Sequence, residues 1–261
     1  MAQTRSHFLQ ATAHRLRKVR RSIGQAFGGG KPAPDGWQPA GGPVLVIAAH
    51  PDDEVIGCGG AVYRHSLAGD NVSVIYLTRG HGSRGFYWLT PEERGAVREL
   101  EARSSSRILG VKETLFLEGR EDHLEDPDAR PEWVTQIAQT INRLQPRVIY
   151  VPHAADNHRD HVAAHHILLD AARATGGQNA AAIIQYEIWS PLAADFAVDI
   201  TPYMSRKLRA IRCHRLAMDA FNYIPTIKGL AAYRCGTLLQ RHGYAEAFER
   251  LKPIVTESAV Q

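Results

Sequence analysis

Five short apolar runs constrain what this 261-residue chain can fold into. VLVIAA (44–49), VSVIYLT (72–78), TLFLEG (114–119), RVIYVP (147–152) and AIIQYEIW (182–189) are rich in β-branched and aromatic residues, and most are free of charge. Strands covered on both faces read this way, whereas a strand with one wet face alternates. Helical stretches fall between them, at about 55–69, 91–109, 131–144 and 160–174; the second opens with TPEE, a Thr N-cap and an acidic first turn. Strands alternating with helices imply right-handed βαβ units. The expected fold is a Rossmann-like α/β domain: a mostly parallel sheet with helices on both faces. After residue 200 the pattern is largely helical and reads as a C-terminal extension.

In open parallel sheets, ligands bind beyond the carboxyl ends of the strands. HPDDE leaves the first run, TRGHGSRG the second, GREDH the third and PHAADNHRDH the fourth. Charges at the end of a buried strand are costly unless a metal, a catalytic water or a solvated turn compensates them. His50 and Asp53 are three residues apart, as are His158 and His161; Asn157 or Asp156 is the expected cap of the helix that follows. A catalytic zinc centre takes three ligands from His and carboxylate and keeps one position open. His50, Asp53 and one of His158 and His161 supply that set. Asp52 is then free to act as a base, and the remaining histidine to donate to an oxyanion. Taken singly, HPDDE also reads as an Asp-rich turn and HRDH as a solvated helix start. Their joint placement at strand ends argues for a site.

AAHPDDEVIGCGG, with HRDH roughly a hundred residues later, resembles the LmbE-like, PIG-L type N-acetylglucosaminyl deacetylases. These are zinc-dependent enzymes that remove an acyl group from amino sugars. The similarity extends over most of residues 43–250 through LTRG-x-GSRG, TPEERGAVRELEARSSSRILGV, YEIW, VDIT with Lys207 beyond it, and YAEAF. It implies that His50, Asp53 and His161 hold the metal and that Asp52 is the general base. It places His158 over the tetrahedral intermediate, oriented by Asp160, and Arg84 on the substrate. The implied cofactor is Zn²⁺, with Fe²⁺ or another divalent metal as an alternative occupant of such a set. The implied substrate is a small-molecule or lipid-linked amino sugar carrying an N-acyl, in the first instance N-acetyl, amide. Two alternatives stand beside this: a different metallohydrolase, for example on a phosphoester, and a non-catalytic metal- or sugar-binding module. The chain departs from the family pattern at Arg159, where proline is usual, and at His214-Arg215-Leu216-Ala217, which replaces H-x-SQ.

Charge separates the chain into two parts. Residues 1–40 carry seven Lys/Arg against Asp35 alone, a net +6 in a chain of net +4, so residues 41–261 sum to −2. The high pI belongs to the tail, and no nucleic-acid partner is expected. Leu9, Leu16, Val19, Ile23 and Phe27 fall near helical spacing among the cations, ahead of a Gly/Pro linker. That is a basic amphipathic segment suited to peripheral membrane contact, or a solvated tail. The expected organisation is therefore tail and linker over 1–40 and one catalytic domain over 41–261. Three cysteines without CxxC spacing exclude a disulfide scaffold and a cysteine zinc site. No run reaches membrane-spanning length and no signal h-region is present, so the expected compartment is the cytoplasm. Oligomeric state leaves no mark in the sequence. Gly57, Gly59 and Gly60 do not form G-x-G-x-x-G, and Cys58 between them reads as core. His81 and His123 border the site, and Phe86-Tyr87-Trp88 reads as an aromatic lid or as a staple for the next helix.

Overall fold

The structure, a computed structural model, describes residues 36–176 and 181–251; the expected tail segment lies outside the described residues. The elements are β1 (Val44–Ala48), α1 (Asp53–Leu67), β2 (Val72–Thr78), α2 (Pro91–Leu109), β3 (Glu113–Gly119), α3 (Arg130–Leu144), β4 (Val148–Pro152), α4 (Arg159–Ala174), β5 (Ala182–Tyr186), β6 (Phe196–Asp199), α5 (Met204–Ile211), α6 (Arg215–Ala220), α7 (Ile224–Arg234) and β7 (Ala245–Arg250). The sheet order is β3-β2-β1-β4-β5-β7-β6. β1 to β5 pair in parallel, and β7 runs antiparallel to both β5 and β6.

β1 shows why the runs carry no charge. Val44, Val46 and Ala48 enter one core with α1, α2, α5 and α7, while Leu45, Ile47 and Ala49 enter a second core with α3 and α4. Helices cover both faces, as expected. α2 begins at the expected Thr90: its hydroxyl accepts from Glu93 N, and the Glu93 carboxylate accepts from Thr90 N. The strand order reverses between β1 and β4, the switch point at which doubly wound sheets bind ligands. HPDDE leaves β1 and HRDH closes the loop after β4, so both motifs stand at that crevice.

The C-terminal extension departs from expectation. It contains β7, which inserts between β5 and β6 and leaves β6 at that edge of the sheet. The run 182–189 stops pairing at Tyr186, because Glu187 turns to a buried ion pair with Arg234 (2.6 Å). No helix among the described residues is long and apolar enough to cross a membrane. The end of the expected linker is bonded to the body: Ala40, Gly41 and Gly42 donate their N–H groups to the Asp70 carboxylate.

α1 bends at Cys58, which is buried as expected but has φ −136°. Gly57 stands at the bend because a Cβ there collides with the Tyr186 ring and the Glu187 carbonyl. The bend removes regular partners from the helix backbone, and two buried charges replace them. Lys207 Nζ donates to Ile56 O (2.7 Å), and Glu246 accepts from Gly60 N (2.7 Å) and Ala61 N (2.8 Å). The two charges, Lys207 and the glutamate of YAEAF, pair at 2.6 Å.

Candidate metal centre and catalytic carboxylate

β1 ends in a turn that holds two consecutive carboxylates apart. Asp52 adopts φ 128°, a costly conformation for a residue with a side chain, and it is pinned on both sides. Its N–H donates to Glu54 Oε2 (3.3 Å), and its carbonyl accepts from Val55 N (3.1 Å) and Ile56 N (2.9 Å). Asp53 folds back instead, accepting from His50 N at 2.8 Å.

α4 supplies the second half. His158 is the N-cap of α4, accepting the Asp160 N–H on Nδ1 (3.2 Å). Neither Asn157 nor Asp156 caps it. Asp156 lies beneath the loop, where Oδ2 accepts from Trp189 N (3.0 Å) and Ser190 N (3.1 Å).

The turn and the helix bring His50, Asp53, His158 and His161 together. The histidine nitrogens of His50, His158 and His161 lie within 4.8 Å of one another and form a potential metal-binding group. Asp53 joins them, with Oδ1 3.2 Å from His161 Nε2 and Oδ2 3.5 Å from His50 Nδ1. His161 Nδ1–H donates to Asp156 Oδ1 (2.9 Å), which leaves Nε2 as a buried nitrogen without a hydrogen-bond partner, turned toward Asp53. His50 Nε2–H donates likewise to Asp160 Oδ2 (3.0 Å), leaving Nδ1 toward Asp53. Each imidazole is thus backed by a carboxylate and presents its other nitrogen inward, as metal-ligating histidines do. The Asp160 carboxylate bonds His50, its backbone N–H bonds His158 Nδ1, and a carboxylate oxygen lies within 4.8 Å of a His158 ring nitrogen.

Charge in the cluster follows this geometry. Burial opposes protonation of His50, but hydrogen bonds to Asp160 and Asp53 lift it to about 10. His161 is likewise lifted to about 9 against burial, by Asp53 and Asp156. Burial also works against the Asp53 charge, yet His161 and His50 hold its carboxyl well below the usual range. The carboxylates therefore call for positive charge, and a divalent cation supplies it by displacing the imidazole protons. Two imidazoles and a carboxylate are a donor set that fits such an ion.

Asp52 stands beside this set with partners of its own. Oδ1 lies 3.1 Å from the Arg98 guanidinium, which also bonds the Pro51 carbonyl, and Oδ2 accepts from the Tyr223 hydroxyl (3.0 Å). Burial, with Asp53 nearby, lifts its carboxyl to about 6 despite Arg98, His50 and Tyr223. Sequence reasoning missed Arg98 and Tyr223, and read Asp156 only as a cap. Arg84 is exposed and makes no hydrogen bond or ion pair among the described residues. His81 and His123 stand outside the cluster. Phe86 N donates to Asp219 Oδ2 (3.1 Å), anchoring the aromatic loop to α6, while Tyr87 and Trp88 remain exposed.

The sequence profile described as PIG-L, GlcNAc-PI de-N-acetylase, matches residues 45–172. The solved conserved protein TT1542 from Thermus thermophilus is similar with TM-score 0.68 and 30% identity, over 84% of this chain and 98% of that one. The chain belongs to the PIG-L family. This PIG-L chain is also similar to the N,N'-diacetylchitobiose deacetylase of Pyrococcus horikoshii, with TM-score 0.70 and 26% identity over 80% of this chain and 83% of that one. It is 31% identical over 158 residues to the 1D-myo-inositol 2-acetamido-2-deoxy-alpha-D-glucopyranoside deacetylase of Nocardia farcinica, covering 52% of this chain and 53% of the relative. The chain thus spans about half the length of that curated relative.

Proposed function

We propose that this chain hydrolyses the N-acetyl amide of an amino sugar or amino-sugar conjugate, as the Pyrococcus horikoshii and Nocardia farcinica relatives do by their descriptions. The observation that carries the reading is Asp52: a strained, buried carboxylate, held by Arg98 and Tyr223, beside a His–Asp–His set that fits a divalent cation. A binding module has no use for a base at that position, and a two-metal phosphoesterase needs more bridging carboxylates than the cluster holds.

His50, Asp53 and His161 would hold the ion, with zinc suited to the donor set and Fe²⁺ an alternative. When bound, it supplies Lewis acidity at the acyl oxygen and lowers the pKa of water. Asp52 takes the proton of the attacking water, because its pKa of about 6 leaves it ionised near neutrality. His158 accepts a backbone N–H on Nδ1, so its own ring proton sits on Nε2. Burial and the neighbouring His50 and His161 lower its pKa. His158 is therefore a neutral donor to the oxyanion that develops at the acyl carbon, and not a proton reservoir. The proton that the departing amine needs comes from Asp52, which thereby returns to its ionised form. Arg84 is assigned to the substrate at the rim. The substrate is a small amino sugar met in the cytoplasm, with the lipid-linked form the finer option.

The test is amine release from a panel of N-acetyl amino sugars, lipid-linked ones included, by wild type, chelated protein, zinc-restored protein and Asp52→Asn. Chelator-sensitive release that zinc restores and Asp52→Asn abolishes, with zinc still bound to the variant, supports the reading. Full release by Asp52→Asn overturns it.

A further inference from the structure

One face of the domain carries three arginines that form no ion pair among the described residues. Arg209, Arg212 and Arg215 recur at three-residue spacing from α5 into α6, all exposed, and among the described residues none pairs with a carboxylate. With Glu101, Ser104 and Cys213 they line an open groove of about 520 Å³ whose apolar side is Val97, Leu100 and Ile108 of α2. Leu100 is 66% exposed in mid-helix. The two acids within reach are engaged elsewhere: Glu101 accepts from Leu216 N (3.1 Å), and Asp219 from Phe86 N (3.1 Å). The Asp219 bond ties this row to the β2–α2 loop, where Tyr87 and Trp88 are 84% and 63% exposed; Phe221, two residues past Asp219, is 59% exposed.

Unpaired cations in a row repel one another, and exposed rings and leucines forgo burial. Residues 41–261 are net negative, so this positive charge is local and not a property of the whole body. An acidic peptide or a nucleic-acid duplex satisfies the guanidinium groups but not three exposed aromatic rings. An anionic lipid surface satisfies both, since Tyr and Trp settle at headgroup depth and guanidinium groups meet lipid phosphates. We propose that this face docks the domain on anionic membrane, with Tyr87, Trp88 and Phe221 in the headgroup layer and Arg209, Arg212 and Arg215 against lipid phosphates. Phe221 lies two residues from Tyr223, the partner of Asp52, so docking brings the rim of the catalytic cluster to the lipid. The proposal uses none of residues 1–40 and stands independently of the reaction proposed above.

The full chain is sedimented with phosphatidylcholine vesicles, with and without phosphatidylglycerol. Wild type binds only the anionic vesicles, and tryptophan emission shifts to the blue. R209Q/R212Q/R215Q lowers partitioning roughly 100-fold, from about fivefold per lost arginine. Y87S/W88S/F221S lowers it at least about 10-fold and abolishes the emission shift. All six residues are exposed, and circular dichroism checks that both variants fold. Wild-type binding by both variants assigns the lipid contact to the tail and overturns the proposal. So does equal binding to neutral vesicles, no binding at all, or capture of polyglutamate by the arginine row with vesicles ignored.

Discussion

Asp156→Asn isolates the support of the metal ligands from the ligands themselves. Asp156 accepts on both oxygens: Oδ1 from His158 N (2.9 Å) and His161 Nδ1 (2.9 Å), Oδ2 from Trp189 N (3.0 Å) and Ser190 N (3.1 Å). Asparagine offers one acceptor and one donor, so its amide must face either the imidazole or the two loop N–H groups. With the NH₂ toward His161, the ring is driven to the tautomer protonated on Nε2, the atom that lies 3.2 Å from Asp53 Oδ1. Losing a carboxylate behind a ligating histidine costs about 10–100-fold in metal affinity, or roughly 1.4–2.8 kcal/mol. With the NH₂ toward the loop, the part-buried N–H groups of Trp189 and Ser190 lose their acceptor, at about 1 kcal/mol each. The variant therefore loses affinity or stability. Zinc competition against a chromophoric chelator and urea unfolding, run on the same preparation, distinguish the two. Wild-type values in both experiments refute the assignment of Asp156 as the group that sets the His161 tautomer.

Tyr223→Phe removes one of two bonds to Asp52 and leaves the metal set intact; at about 1.5–3 kcal/mol for a hydrogen bond to a charged group, kcat/KM falls roughly 10–100-fold with zinc affinity unchanged. Unaltered turnover takes Tyr223 out of the site. Lys207→Met leaves Glu246 buried without its cation and Ile56 O without its donor, at a cost of about 3–5 kcal/mol, on the order of 10 °C in Tm. A loss below about 1 kcal/mol in urea unfolding contradicts the account of the α1 bend. His214 is wholly buried with neither nitrogen bonded, and burial pushes its pKa down to about 3. The unfolded chain, with a pKa near 6.5, binds a proton there that the folded chain refuses. Stability therefore falls as pH is lowered from about 6.5 toward 3, and His214→Phe makes that fall shallower; an identical slope in the variant counts against it.

The sheet was legible because burial on both faces leaves no alternative composition. β1 to β5 stand within two or three residues of the apolar runs that announce them. β7 was not legible, since AEAFER carries three charges and resembles a helix as much as a strand. In the site, the close-spaced residues were readable: His50 with Asp53, and His158 with His161, meet because a tight turn and one helical turn bring them together. Spacing left open which of His158 and His161 holds the metal; resemblance alone assigned His161. Arg98 and Tyr223 reach Asp52 from 46 and 171 positions away in the chain, and no local pattern marks such partners. The bond from the Asp160 carboxylate to His50 depends on where a loop from β3 crosses α4, where that carboxylate also accepts from Asp122 N (2.7 Å).

Asp52 and Asp53 share a sequence context and differ in everything that follows from it. The φ of 128° at Asp52 turns one carboxylate toward Arg98 and Tyr223 and the next toward His50 and His161. One carboxyl rises to about 6 while its neighbour is held far below the usual range. Divergence of this kind between adjacent titratable groups is how one site comes to hold both a proton-transfer group and a permanent anion. The strain, on the order of 1–3 kcal/mol, persists because Glu54, Val55 and Ile56 fix the backbone on either side. Glycine at 52 would relieve the strain and remove the base; asparagine would keep the turn and remove only the proton chemistry. Asp52→Asn is therefore the substitution in which lost turnover reports on the carboxylate and not on the turn that carries it.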